Sequence, residues 1–196
     1  MFKIKDLEFD IEHAYLDAYV SDLDGEMVFG LQIKTKEKED VFLGYSAHFE
    51  TDMLLNIKPN EITKWQDIAG RKVEWEDYLE DEEEPDGFLY IFEHEAVYNA
   101  KIEIKNIDNR IYVKIDALCD VYFDDDYSDN LPLKIETEID FYGIPCGKNT
   151  SENDCINEIK PYLDVSNFRY VKNKYDVSLM IPKDSDMETN LLLTKE

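Results

Sequence analysis

Between Tyr98 and Phe141 the chain alternates apolar and charged residues three times with a period of two. Ala100, Ile102 and Ile104 interleave with Lys101, Glu103 and Lys105. Beyond the polar link Asn106-Ile107-Asp108-Asn109, the residues Ile111, Val113, Ile115, Ala117, Cys119 and Val121 interleave with Tyr112, Lys114, Asp116 and Asp120. Past an acidic loop, Leu133, Ile135, Thr137, Ile139 and Phe141 interleave with Lys134, Glu136, Glu138 and Asp140. Successive side chains on a strand point to opposite faces, so this pattern predicts an antiparallel meander, dry on one side and wet on the other.

The flanking sequence repeats the pattern less strictly. Phe2 to Phe9 predicts a first strand. His13 to Ser21 places Ala14, Leu16, Ala18 and Val20 on one face, and Asp24-Gly25 predicts a hairpin turn. Met27, Phe29, Leu31 and Ile33 form the return strand, and Val41, Leu43, Tyr45, Ala47 and Phe49 a further one. Asn60 is placed to cap a short helix carrying Ile62, Trp65 and Ala69, with Gly70 as its stop. Arg71 to Trp75 and Gly87 to Phe92 read as extended. After Gly143 to Asn149, Thr150 or Ser151 caps a helix carrying Ile156 and Ile159 that Pro161 ends. Phe168 and Tyr170 pair with Tyr175, Val177, Leu179 and Ile181 across Lys172-Asn173-Lys174. About nine strands and two short helices without a βαβ rhythm predict a mainly β fold. Its form is an antiparallel meander closing into a two-layer sandwich or a partly closed barrel, with α+β as the alternative. The expected organisation is a β domain over 1–145, a helix-hairpin extension packed on it over 146–182, and a loose tail over 183–196.

At 196 residues the chain can bury a core without covalent staples. Its formal net charge of −25 changes the picture most. Phosphate contacts need Lys and Arg, so direct nucleic-acid binding and anionic membranes are poor matches. No apolar run approaches the ~18 residues of a membrane span, and the N-terminus lacks the apolar core of a secretory signal. Three cysteines, an odd number without framework spacing, predict a reduced cytoplasmic chain. Cys119 falls on the dry face as a core residue; a Cys146–Cys155 disulfide is possible but not favoured.

Candidate chemistry lies in two acidic loops. Between Lys72 and Lys101 there are eleven Asp or Glu and no Lys or Arg. The densest part is Glu80, Asp81, Glu82, Glu83, Glu84, Pro85 and Asp86, preceded by Trp75, Asp77 and Tyr78. Such a run is either a solvated loop or a docking surface for a cationic protein, where charge sets rate and orientation. Trp65, Trp75 and Tyr78 are the candidate aromatic anchors. The second loop, Asp124, Asp125, Asp126, Tyr127, Ser128 and Asp129, invites a calcium reading. It lacks the turn Gly and closing Glu of a calcium loop, so no metal or other cofactor is expected. His13, His48 and His94 are scattered, without a zinc pair, a Cys-x-x-Cys or a phosphate-cradling Gly loop. The expectation is therefore a non-enzyme.

A short, acidic, β-rich chain with loops at Glu80–Asp86 and Asp124–Asp129 beside the strands from Ala100 to Phe141 resembles the immunity proteins of bacterial polymorphic or contact-dependent toxin systems. The resemblance is one of class, with no family motif matched residue by residue. It implies a stoichiometric inhibitor that occludes a basic toxin domain, such as a nuclease. Two alternatives stay open. One is a small-ligand carrier or enzyme on a β scaffold, with Tyr15, Tyr19, Tyr45 and Tyr112 lining a pocket. The other is an acidic DNA mimic.

Overall fold

The computed structural model describes residues 1–21, 23–38, 44–76, 86–122, 129–173 and 176–184. Among these the fold is mainly β. The strands are β1 (Phe2–Ile4), β2 (Leu7–Phe9), β3 (Ile11–Val20), β4 (Met27–Thr35), β5 (His48–Ile57) and β6 (Lys72–Trp75). They continue with β7 (Phe88–Tyr90), β8 (His94–Ile107), β9 (Arg110–Cys119), β10 (Leu131–Lys148), β11 (Phe168–Lys172) and β12 (Val177–Pro182). One α-helix, α1 (Glu152–Ile159), and short 3-10 turns at Trp65–Ile68 and Val165–Asn167 complete them. The pairing order is β11-β12-β10-β3-β4-β5-β7-β8-β6, with β9 joining β8 to β10. Seven strands therefore close on themselves as a barrel, the second of the two forms that the alternation predicts.

The chain forms two compact units that interleave along the sequence. The first comprises Met1–Tyr15, Gly30–Leu54 and Ile68–Asp140; the second comprises Leu16–Phe29, Leu55–Asp67 and the described residues from Phe141 on. β10 runs through position 145 without a break.

In the first unit the meander is realised as β8, β9 and β10. Asp108 and Asn109, at φ 53° and 66°, make the two-residue turn that joins Ile107 to its partner Arg110. Two positive φ values in succession match the strands' right-handed twist, and Asp and Asn tolerate them best after Gly. The register lines up a dry row across six strands: Val73, Ile102, Ile115, Ile135, Phe2 and Phe9. Phe2, Ile102 and Ile115 are fully buried. Each such side chain contributes roughly 1.5–3 kcal/mol.

The wet face of the same strands carries rows of alternating charge. One row reads Lys72, Glu103, Lys114, Glu136, and the next reads Glu74, Lys101, Asp116, Lys134. Glu103 meets Lys72 at 2.8 Å and Lys105 at 3.0 Å, which hold its carboxyl down at about 2. Arg110 meets Glu138, and Lys114 meets Asp116, each at 3.0 Å.

In the second unit, Ser21 N–H donates to the Glu26 carbonyl at 2.8 Å, and Gly25 at φ +62° turns β3 into β4. Ser151 caps α1 by accepting from Asp154 N–H, and α1 buries Cys155 and Ile159. β11 and β12 form the expected hairpin, with Tyr170 opposite Met180. The end of β10 pairs with β12 through Ile144 and Met180. Tyr162 donates its hydroxyl to the Gly25 carbonyl at 2.7 Å. Cys119, Cys146 and Cys155 are free thiols, all buried. Burial pushes the Cys119 thiol up to about 12.

Four local expectations are corrected. Phe2 to Phe9 is a hairpin, not one strand, because Lys5 takes a positive φ of 53° and folds Leu7 back onto Ile4. Of the strand expected over Val41–Phe49, Val41 and Leu43 lie outside the described residues and Tyr45 and Ala47 are not in a strand; the described strand runs from His48 to Ile57, where burial does not alternate. The helix expected after Asn60 is a single 3-10 turn. Asn60 sits at φ 63°, and Asp67 instead accepts from the Thr63 and Lys64 amides at 2.9 Å. The strand expected over Gly87–Phe92 spans only Phe88–Tyr90. Of the expected tail, Lys183 and Asp184 form a turn; residues 185–196 lie outside the described residues.

Gly143 offers a test of the second unit. Its φ of +136° suits only glycine, and an added Cβ would lie 2.8 Å from the Met180 carbonyl oxygen. Gly25 also has positive φ, but it faces open space. Urea unfolding should show Gly143→Ala losing about 3 kcal/mol and Gly25→Ala only about 1 kcal/mol. Equal losses would contradict the close approach of β10 to β12.

Candidate functional site

The short segment Val97–Asn99 of β8 gathers the described ends of both acidic loops. β6 ends at Trp75, paired with Ala100, and Asn99 N–H reaches the Glu76 carbonyl. Where the chain returns, Val97 N–H donates to the Gly87 carbonyl at 2.9 Å. Trp75 fixes both ends together: its indole N–H donates to the Val97 carbonyl at 2.8 Å. Its ring edge lies so close to Gly87 that a Cβ there would stand 2.9 Å away. On the other side, Val97 pairs with Cys119. Tyr98 donates its hydroxyl to Asp120 Oδ1 at 2.6 Å, and Asn130 N–H donates to the same oxygen at 2.8 Å. The register of β8 against β9 shifts between Tyr98 and Lys101, a bulge with Asn99 at φ 49°. Bulges bend a strand and re-aim its side chains.

The carboxylates at this end differ from those of the wet face. Glu76, Asp86, Glu93, Glu95, Asp120 and Asp129 form no ion pair with Lys or Arg among the described residues. A small cavity of about 130 Å³ opens among them, walled by Leu89, Ile91, Phe92, Val121 and Tyr122 and edged by Glu93, Glu95 and Asp120. Burial, then Asp120 and Glu93 close by, raises the Glu95 carboxyl above its ordinary range. The Tyr122 hydroxyl, bonded to Asp129, is pushed up to about 12. Aromatic surface stands beside the acids: Tyr122 is 63% exposed and Tyr45 48%, the latter edge-on to Phe92 at 4.9 Å.

Of the residues singled out from sequence, Trp75, Asp86 and Asp129 are described. Asp86 and Asp129 are exposed, and Trp75 is half-buried in the clamp. Asp77, Tyr78, Glu80, Asp81, Glu82, Glu83, Glu84, Asp124, Asp125, Asp126 and Tyr127 lie outside the described residues. Glu93, Glu95, Asp120 and Tyr122 were not singled out; their only signal was proximity in sequence to the two acidic runs. Trp65 belongs to the second unit, stacked on Phe141 at 5.3 Å.

Two of the three histidines flank one tyrosine. Across β5, β7 and β8, Tyr90 stands between His48 at 5.5 Å and His94 at 3.9 Å, and His48 lies 3.9 Å from the buried Glu50. Burial lowers His13, which stacks on Tyr15. Among the described residues, no three His, Cys, Asp or Glu side chains are placed to share a metal ion. No described helix is long and apolar enough to cross a membrane. Of the four tyrosines weighed for a ligand pocket, Tyr15 donates to Gln32 at 2.7 Å and Tyr112 to Glu138 at 3.3 Å. Compared with known proteins, the chain matches no family model, no curated protein and no solved structure.

The raised Glu95 carboxyl has a consequence with a definite sign. Its folded pKa lies above the unfolded one, so the folded state takes up the proton first as pH falls. Ionised Glu95 therefore opposes folding at neutral pH, and this opposition fades as pH drops through the folded pKa. Glu95→Gln should raise the thermal midpoint at pH 7 by about 1–2 °C. The gain should shrink toward nothing below pH ~4. A midpoint lowered at pH 7 would show that Glu95 is compensated.

Proposed function

We propose that this chain is an immunity-type inhibitor: a protein that binds a basic toxin domain, most simply a nuclease, through the acidic end of its first unit. The observation that carries this reading is the meeting of both acidic loops' ends at Val97–Asn99, with six carboxylates lacking a basic partner among the described residues. Concentrated negative charge beside exposed Tyr45 and Tyr122 supplies what such an interface needs. The field speeds and orients encounter, and the aromatic rings bury area once contact is made. Carboxylates would take the places of substrate phosphates on the nuclease, so inhibition is by occlusion and needs no chemistry from the inhibitor. The apolar-walled cavity edged by Glu93, Glu95 and Asp120 suits a single Lys or Arg side chain of that partner. In this reading the chain works in the bacterial cytoplasm, ahead of the toxin's target.

The test is genetic and then kinetic. A basic nuclease domain encoded beside the gene for this chain should be toxic when expressed alone and harmless when co-expressed. With the pure proteins, the exposed-site variant Glu76→Lys/Asp86→Lys/Glu93→Lys should associate about tenfold or more slowly at low salt and lose most of its salt dependence. No inhibition of any basic nuclease domain in such a neighbourhood, or unchanged association by the triple variant, would overturn the proposal.

A further inference from the structure

The second unit carries a larger cavity, of about 310 Å³, built from the Trp65–Ile68 turn, the Val165–Asn167 turn and the end of β12. That size is at the lower end for small-molecule sites. We propose that it is a saccharide-binding site, taking the apolar face of a sugar ring on Trp65 and its hydroxyls on the polar rim. The floor is held rigid from behind. The Trp65 indole lies nearly parallel to Phe141, 20° between planes, and Phe141 meets Phe168 edge-on at 87°. Phe141 does not line the cavity, whereas Trp65, Phe168 and Pro182 do. The electron-rich face of an indole attracts the weakly positive C–H groups of a pyranose ring as it does other positive edges.

The rim decides the ligand class. Lys64 and Lys183 stand against Asp164 and Asp184, so the four charges cancel and the rim selects neither an anion nor a cation. Gln66 and Asn167 add amides that both donate and accept. Some of this rim is already fixed in place: Lys183 Nζ donates to the Ser166 carbonyl at 2.8 Å, and Asp164 accepts from Ser166 N–H at 3.0 Å. Hydrogen bonds from the Ser166 side chain and amide hold the Asp164 carboxyl below its usual range, so it remains an acceptor. A plain aromatic ligand would use the Trp65 face but make no hydrogen bond to the Gln66 and Asn167 amides on the rim. An anionic ligand would meet a molecule of net charge −25. A neutral, polyhydroxylated ring with one apolar face meets both conditions. The site is independent of the acidic end of the first unit.

The experiment is an ¹H–¹⁵N NMR titration of the full chain with glucose, N-acetylglucosamine, maltose and cellobiose, with benzoate as an anionic aromatic comparator. At least one sugar should give a saturable shift of the Trp65 indole N–H in the millimolar range. Its affinity should fall about tenfold or more in Trp65→Ala. The milder Asp184→Asn should weaken it as well, which covers the case in which Trp65→Ala does not fold. Glu76→Lys/Asp86→Lys/Glu93→Lys should bind as the parent does. No saturable shift with any sugar, tighter saturation by benzoate, or sugar binding unchanged in the two cavity variants would overturn the assignment.

Discussion

The arrangement on which the first unit depends is the alternation of opposite charges across β6, β8, β9 and β10. Lys72 faces Glu103, Glu103 faces Lys114, and Lys114 faces Glu136; the neighbouring row has the signs inverted. Opposite charges directly across a strand pair attract weakly where solvent screens them, and like charges repel. The energy matters less than what it forbids. A slip of one residue would turn Ile102, Ile115 and Ile135 to the wet side. A slip of two would keep the faces but set Lys72 against Lys101 and Glu103 against Asp116. The first error is penalised in every strand pair of the meander and the second wherever β8 pairs with β6 and β9, so the pattern itself favours the observed register.

That use of charge shapes the rest of the molecule. Lys72, Lys105, Arg110 and Lys114 of the wet face are committed to partners within the sheet. The excess of acid over base, 46 against 21, therefore has to reside elsewhere. Part of it is concentrated where the meander's strands end, around Val97–Asn99. There a bulge, the Trp75 clamp and the Tyr98–Asp120–Asn130 hydrogen bonds hold the loop ends. A neutral sheet face and a repelling acidic end are two results of one distribution. Glu95, raised by burial beside Asp120 and Glu93, is where the strain of that distribution is visible. A cationic protein would relieve it, and so the proposed partner follows from the same electrostatics that fixes the frame.

What the sequence made legible follows from how local each signal is. Period-two alternation predicted β8, β9, β10, β3 and β4, because it depends only on which side each residue points. Asp24-Gly25 and Ser151 likewise marked a turn and a cap through their own backbone preferences. Signals set by tertiary contacts were not legible. Lys5 at positive φ breaks the first strand into a hairpin that no glycine announces. β5 carries Glu50 and Thr51 buried in succession, so its burial does not alternate. The two acidic runs were evident as composition, but only pairing through Val97 and Tyr98 reveals that their ends meet. Likewise Glu95 and Asp120 are separated by a strand and a half in sequence, and the β8–β9 register makes them neighbours.

The central claim is that negative charge is compensated on the sheet face and uncompensated at the Val97–Asn99 end. A titration with spermine, followed through the backbone amides by NMR at low ionic strength, measures this directly. The account predicts early, saturable shifts at Glu76, Asp86, Glu93, Glu95, Asp120 and Asp129, with little change at Lys72, Glu103, Lys114 and Glu136. Shifts spread evenly over both regions, or strongest along the charge-alternating rows, would contradict it.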